Sequence, residues 1–160
     1  FEGRMEFGSR ALGNRSIICD PRNPNIKDLL NLKIKNREQF RPFAPSVLLE
    51  SINDWFENND DSPFMSKVHK IKKEKANLVP GVVHVDGTCR LQSVSRAQNL
   101  LYYNIIEKFK EITSVPMILN TSFNENEPIV CKPEHAIDCF LRTKMDNLFI
   151  EKYLIYREEN

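Results

Sequence analysis

No apolar run in this 160-residue chain approaches the roughly 20 residues that a membrane-crossing helix needs. The opening Phe1-Glu2-Gly3-Arg4 has neither an initiator methionine nor a signal-peptide pattern, and such a start suggests a piece of a longer protein. Cys19, Cys89, Cys131 and Cys139 contain no C-x-x-C pair, and His69, His84 and His135 stand at no metal-ligand spacing. No metal site is therefore expected in this chain. The thiols are expected to be free, reduced and mostly buried, as in a cytoplasmic protein. Cys131 and Cys139 are weak nucleophile candidates, because neither has a recognisable His-and-acid set. Neither sign of charge is in excess: 23 Lys and Arg face 22 Asp and Glu, for a net charge of +1. An extended nucleic-acid footprint or a membrane surface is thus disfavoured, and an anion site must be built locally from arranged arginines. There is no internal repeat and no low-complexity block. What is present, 41% hydrophobic and 28% charged residues, suits one domain over 1–160 with a core that needs no disulfide or metal.

Strand-like apolar runs alternate with segments of helical period. After Asp20-Pro21-Arg22, Pro24 suits a first helical turn, and Ile26, Leu29, Leu30 and Ile34 form one stripe. Phe43 to Leu49, punctuated by Pro42 and Pro45, reads as a strand, and Ile52, Trp55 and Phe56 as a short helix. Lys67 to Lys75 holds five lysines and a histidine with little periodicity, and reads as a mobile loop. Phosphate or RNA contact is the lesser reading there. Val82 to Val85 and Thr88 to Val94 read as strands paired about Asp86-Gly87, with one long bulged strand as the alternative. Leu101, Ile105, Phe109 and Ile112 mark a helix from near Asn99. Val115 to Leu119 is a buried strand ending in the polar loop Asn120 to Asn124. Pro133 opens a helix with Ala136, Ile137, Phe140 and Leu141 inward, and Leu148 to Ile155 closes the chain as a strand. The pattern predicts an α/β (α+β) layer fold with a mixed sheet.

Four segments carry groups suited to anions. In Gly8-Ser9-Arg10-Ala11-Leu12-Gly13-Asn14-Arg15-Ser16, glycines let backbone N–H groups approach an anion, and a guanidinium can fork onto its oxygens. Lys35-Asn36-Arg37 precedes Phe40-Arg41-Pro42-Phe43, and the i, i+2 spacing puts Lys35 and Arg37 on one side of an extended segment. A surface salt bridge is the plainer role for each cation taken singly. Thr88-Cys89-Arg90 places a cation in a strand. Asn120-Thr121-Ser122-Phe123-Asn124 presents hydroxyls, amides and N–H groups together, although the same residues dominate ordinary turns.

The pairing of Lys-x-Arg with a later Ser-x-Asn resembles the signature of the YrdC-like fold, a twisted mixed sheet flanked by helices. Gly3 to Gly8, Arg10 to Ile17, Phe40 to Val47, His84 to Thr88, Leu119 to Asn124 and Glu127 to Cys131 look like the nodulation-protein and antibiotic-tailoring O-carbamoyltransferase family. These matches run in order over nearly the full length. The resemblance implies that the chain is a C-terminal domain using ATP, with Mg, and carbamoyl phosphate to form carbamoyl adenylate. It also implies an N-terminal actin/Hsp70-like domain of the same chain, bearing a metal and passing the carbamoyl group to an acceptor hydroxyl. By motif, Lys35, Arg41 and Arg90 are the implied catalytic residues. Arg10, Arg37, Asn120, Thr121, Ser122 and Asn124 join them as substrate- or nucleotide-binding residues.

Two positions depart from the family pattern. Ser9 replaces a proline, which frees a backbone φ beside Arg10. Lys132 replaces a threonine before Pro133, removing a side-chain N-cap worth on the order of 1 kcal/mol. A nucleotide- or RNA-binding module and a non-catalytic structural cap are the competing readings. Near-neutral charge argues against RNA, and intact Lys35, Arg37, Ser122 and Asn124 argue against a degenerate cap. The acceptor and the oligomeric state, a homodimer included, stay open.

Overall fold

A computed structural model describes residues 1–158 of the chain. Its centre is a mixed sheet ordered β1 (Ser16–Cys19), β6 (Met117–Ser122), β2 (Ala44–Leu48), β5 (Gln92–Val94). β6 runs antiparallel to both β1 and β2, and β2 runs parallel to β5. All five residues of β2 are buried, as expected of a strand covered on both faces. Strand alternation divides the core accordingly. Val47, Met117 and Leu119 join the larger cluster with Leu30, Ile34, Trp55 and Phe140. Leu48, Val94 and Ile118 join a smaller one with Tyr102, Tyr103 and Ile106.

The helices are α1 (Ile26–Lys33), α2 (Ile52–Trp55), α3 (Lys73–Ala76), α4 (Leu100–Thr113) and α5 (Pro133–Arg142). Asn99 caps α4 by accepting the Tyr102 N–H at 3.0 Å, and Ser114 ends it in the left-handed region at φ 62°. α5 starts at Pro133 without a side-chain cap from Lys132. Two small ribbons complete the fold, β3 (His69–Lys70) with β4 (Thr88–Cys89), and β7 (Asn147–Ile150) with β8 (Tyr153–Tyr156). Among the described residues no helix is long and apolar enough to cross a membrane.

The mixed α/β expectation holds, but several elements differ from the sequence reading. The Asp86-Gly87 turn forms, with Gly87 at φ 78° and the His84 N–H donating to the Thr88 carbonyl at 2.8 Å. Its arms are neither a hairpin nor one bulged strand, because β4 pairs with β3 while β5 joins the main sheet. The expected loop from Lys67 to Lys75 supplies β3 and most of α3. The closing strand is a hairpin turning at Glu151, φ 52°. β6 continues through Ser122, so Asn120 and Thr121 lie in the sheet rather than in a loop.

Two helices also turn a different face inward. α4 buries Tyr102, Tyr103 and Ile106, whereas Leu101, Ile105 and Ile112 are exposed. The helix is apolar around most of its circumference, so periodicity alone supports either stripe. On α5, Cys139 joins Ala136 and Phe140 inside, while Ile137 and Leu141 are exposed.

Candidate active site

Lys35 follows α1 and leaves only 2% of its surface exposed. Its Nζ donates to the Ser122 carbonyl at 2.5 Å and to the Asn124 carbonyl at 2.8 Å. It also meets Asn124 Oδ1 at 2.7 Å and Ser122 Oγ at 3.2 Å. Ser122 Oγ donates to Asn124 Oδ1 at 2.7 Å, and Asn124 Nδ2 donates to the Glu127 carbonyl at 2.6 Å. Burial, reinforced by the Arg37 charge, lowers the Lys35 amine from its usual range to about 7. The Glu127 carboxyl is lowered as well, to about 2, which in its case favours the charged form. Burial pushes it upward, but backbone N–H groups and Arg142 together outweigh that. Arg142 on α5 also bridges Glu125 and Asp138, which ties the cage to that helix.

The Lys-x-Arg segment is not extended as expected. Asn36 sits at φ 43°, and the two cations take different anchors. Arg37 Nε donates to Asn31 Oδ1 at 2.7 Å, and its guanidinium lies 5.0 Å from the centre of the Phe43 ring. The buried Asn31 amide clamps the following loop through the Gln39 and Arg41 carbonyls, at 3.1 and 3.0 Å. Arg41 is exposed and pairs with Glu38 at 2.9 Å.

The loop carrying Arg10 is held from several sides. Glu6 Oε1 accepts the Leu12 N–H at 2.7 Å and the Asn14 N–H at 2.8 Å. Ser16 Oγ accepts the Gly13 N–H at 2.9 Å. Three of the loop N–H groups that the pattern offered to a ligand, those of Leu12, Gly13 and Asn14, are thus taken internally. Gly13 has φ 130°, and a Cβ there would fall 2.7 Å from the Tyr102 ring, so only glycine fits. Asn120, 2% exposed between β1 and β2, sends its Nδ2 toward the Ala11 carbonyl and Gln92 Oε1, at 3.1 and 2.9 Å. Its amide NH2 is therefore spent inside the fold. Thr121 is half-buried opposite Ile17 in the register of β1.

Arg90 lies between β4 and β5 rather than within a strand. Its Nε is buried with no hydrogen-bond acceptor among the described residues. Burial first, and the Arg10 charge second, make its cationic form less favourable than usual. Arg10 is exposed on its loop, and its charge reaches Arg90. The structure also joins Lys35 to Ser122 and Asn124, while Arg41 stays on an exposed ion pair. Sequence reasoning missed Glu6, Ser46 and Gln92. Glu6 stands in the Gly3 to Gly8 motif and Ser46 in the Phe40 to Val47 motif, whereas nothing local marks Gln92.

All four cysteines are free. Burial raises the Cys19, Cys89 and Cys139 thiols to about 12, which removes them as nucleophiles at neutral pH. Cys131 is exposed, contrary to the expectation of mostly buried thiols, and its Sγ lies 3.5 Å from His135 Nδ1. That i, i+4 partner was also missed. No group of three or more His, Cys, Asp or Glu among the described residues is placed to hold a metal ion. A groove of about 500 Å³ between β1, α4 and β7 is lined mainly by apolar side chains such as Ile18, Leu101, Ile105 and Phe149, and none of the five candidate cations lines it.

Comparison with known proteins matches this arrangement to one family. The chain is 45% identical to an uncharacterized protein of Synechocystis over 97% of its own length and 29% of that protein. It is 51% identical to nodulation protein NolNO of Sinorhizobium fredii over 96% of its length, and 49% identical to nodulation protein NolO of Bradyrhizobium diazoefficiens over the same share. It spans 23% and 29% of those two relatives. Residues 1–157 match the family described as Carbamoyltransferase C-terminus, and the chain belongs to that family.

Proposed function

We propose that this domain is the activating part of an ATP-dependent O-carbamoyltransferase, forming carbamoyl adenylate from ATP and carbamoyl phosphate. The observation that carries the reading is Arg90, whose Nε is buried with no acceptor among the described residues and whose cationic form the Arg10 charge disfavours further. A polyphosphate matches the two cations, because it satisfies the buried Arg90 donor and cancels the repulsion. In the reaction, carbamoyl phosphate is first hydrolysed to carbamate and phosphate. A carbamate oxygen then forms a bond to the α-phosphorus of ATP as the bond to pyrophosphate breaks. Arg10 and Arg90 stabilise the charge that gathers on the phosphoryl oxygens. Lys35 holds the Ser122–Asn124 corner in one geometry, and the second lone pair of Ser122 Oγ suits a carbamoyl N–H. Mg, where it takes part, screens the phosphates of the nucleotide. Transfer to an acceptor hydroxyl belongs to the remainder of the longer protein, consistent with the small share of its relatives that this chain spans.

The test is carbamoyl-phosphate-dependent release of pyrophosphate from ATP by the intact protein. Arg90→Ala and Lys35→Ala are expected to slow it at least tenfold. Unchanged rates in both variants would overturn the assignment.

A further inference from the structure

The two guanidiniums of the anion site pose a mechanical problem. Like charges in range of each other without a ligand push apart, and Arg10 itself is exposed, one residue before the part of its loop that is tied down. If that loop swung free, each binding event would have to reorder it, at a cost in affinity. The structure contains a brace at that point, and its key is Gln92.

Gln92 opens β5, two residues after Arg90. The loop meets this segment in order, with the Arg10 charge on Arg90 and the Leu12 carbonyl accepting from Gln92 Nε2 at 2.8 Å. The orientation of the Gln92 amide is set from inside the sheet. Its Oε1 accepts from Ser46 Oγ at 2.6 Å and from Asn120 Nδ2 at 2.9 Å, so the NH2 must face the loop. Asn120 Nδ2 also reaches the Ala11 carbonyl at 3.1 Å, so two successive loop carbonyls are held by buried residues of β5 and β6. Behind Ser46, the Tyr102 hydroxyl donates to Ser46 Oγ at 2.8 Å, but no bond runs from it to the loop.

We propose that Gln92 is a positioning residue, holding the Ala11–Leu12 backbone so that Arg10, the next residue along, is kept within reach of Arg90 before any anion arrives. This rests on the reading of Arg10 and Arg90 as an anion site. Gln92 touches no reacting atom, and its effect is to preorganise the cation pair.

The experiment compares Gln92→Met with Tyr102→Phe in the full chain. The first removes three hydrogen bonds of one buried network and the second one, and only the first cuts the link to the loop. Two quantities are read: amide exchange at residues 11–14 without ligand, and equilibrium affinity for inorganic pyrophosphate and for ATP. Gln92→Met is expected to speed loop exchange and to weaken both affinities roughly three- to tenfold, the range that one lost hydrogen bond spans. Tyr102→Phe is expected to lose thermal stability, though less, with affinities within about twofold of wild type. Gln92→Glu keeps the volume and the acceptor while losing the donation to Leu12, and it serves if the methionine variant does not fold. Unchanged loop exchange in the Gln92 variants, or affinity loss that merely follows stability in both proteins, overturns the proposal. A wild type that binds neither probe overturns the anion-site reading instead, and loop exchange then still decides the brace.

Discussion

The Nζ of Lys35 and the side-chain oxygen of Asn124 lie 2.7 Å apart, although 89 positions separate them in the chain. This bond joins the Lys-x-Arg and Ser-x-Asn segments directly. An ammonium has three protons, and here four acceptors surround it. While the cage is closed, Lys35 has no proton to spare for a ligand. Its charge then acts on a ligand through the corner it organises.

Replacing Lys35 with alanine strands the Ser122 and Asn124 carbonyls without their donor, and buried acceptors left alone are costly. The expected loss of stability is about 2–3 kcal/mol, measured by urea unfolding near neutral pH. Asn124→Ala leaves three of the four acceptors in place and should cost less. Equal stability of wild type and Lys35→Ala would show that the cage contributes nothing.

Lys35 also makes stability depend on pH in a particular direction. Its amine is lowered in the folded chain to about 7, from the usual 10.5. Between those values the unfolded chain binds the extra proton, so protons favour unfolding and stability rises with pH. Below about 7 both states carry the proton and the dependence vanishes. Subtracting the pH profile of Lys35→Met from that of wild type isolates this group. The difference should shift in favour of wild type from about pH 7 toward pH 10, and a flat difference would refute the lowered amine.

Arg90 buries a donor that meets no acceptor among the described residues, and the Arg10 charge disfavours its cation further. Arg90→Met therefore removes an unfavourable arrangement from the empty fold. Thermal stability should stay level or rise by up to about 1 kcal/mol, while pyrophosphate affinity falls at least tenfold. The affinity of the variant should also depend less steeply on salt, because one cation fewer meets the anion. Calorimetric titration at two ionic strengths checks both points. A large loss of stability would mean that Arg90 is a structural residue.

Gly13 is the tightest contact of the Arg10 loop, with φ 130° and the Tyr102 ring where a Cβ would stand. Gly13→Ala should cost about 3 kcal/mol through backbone strain and overpacking together. Thermal unfolding measures it. Gly8→Ala, at φ 137° with open space around it, carries the strain without the clash and should cost less.

Much of the fold was legible because local signals agreed with tertiary demands. Pro133 marks the start of α5, Asn99 the cap of α4, and Asp86-Gly87 its turn. The signals failed where two solutions were locally equal. α4 is apolar on so many sides that Leu101, Ile105 and Ile112 looked as fit for the core as Tyr102, Tyr103 and Ile106. Thr88 to Val94 reads as one strand, yet its halves serve different sheets, and strand partners lie far away in sequence.

For the site, the sequence alone determined the chemistry on offer: the Lys-x-Arg and Ser-x-Asn segments, the motifs holding Arg10 and Arg90, and, with nearly balanced charge, the need for a local anion site. Residue types and short spacings are written in the chain, so these survive without coordinates. Only the tertiary structure decided which groups face a ligand and which are consumed inside. It turned Asn120 inward, gave the Leu12, Gly13 and Asn14 N–H groups to Glu6 and Ser16, enclosed Lys35, and left the Arg90 Nε without an acceptor among the described residues. The physical reason is that burial decides whether a polar group must be satisfied by the protein, and burial is set by packing between residues some 80 to 110 positions apart.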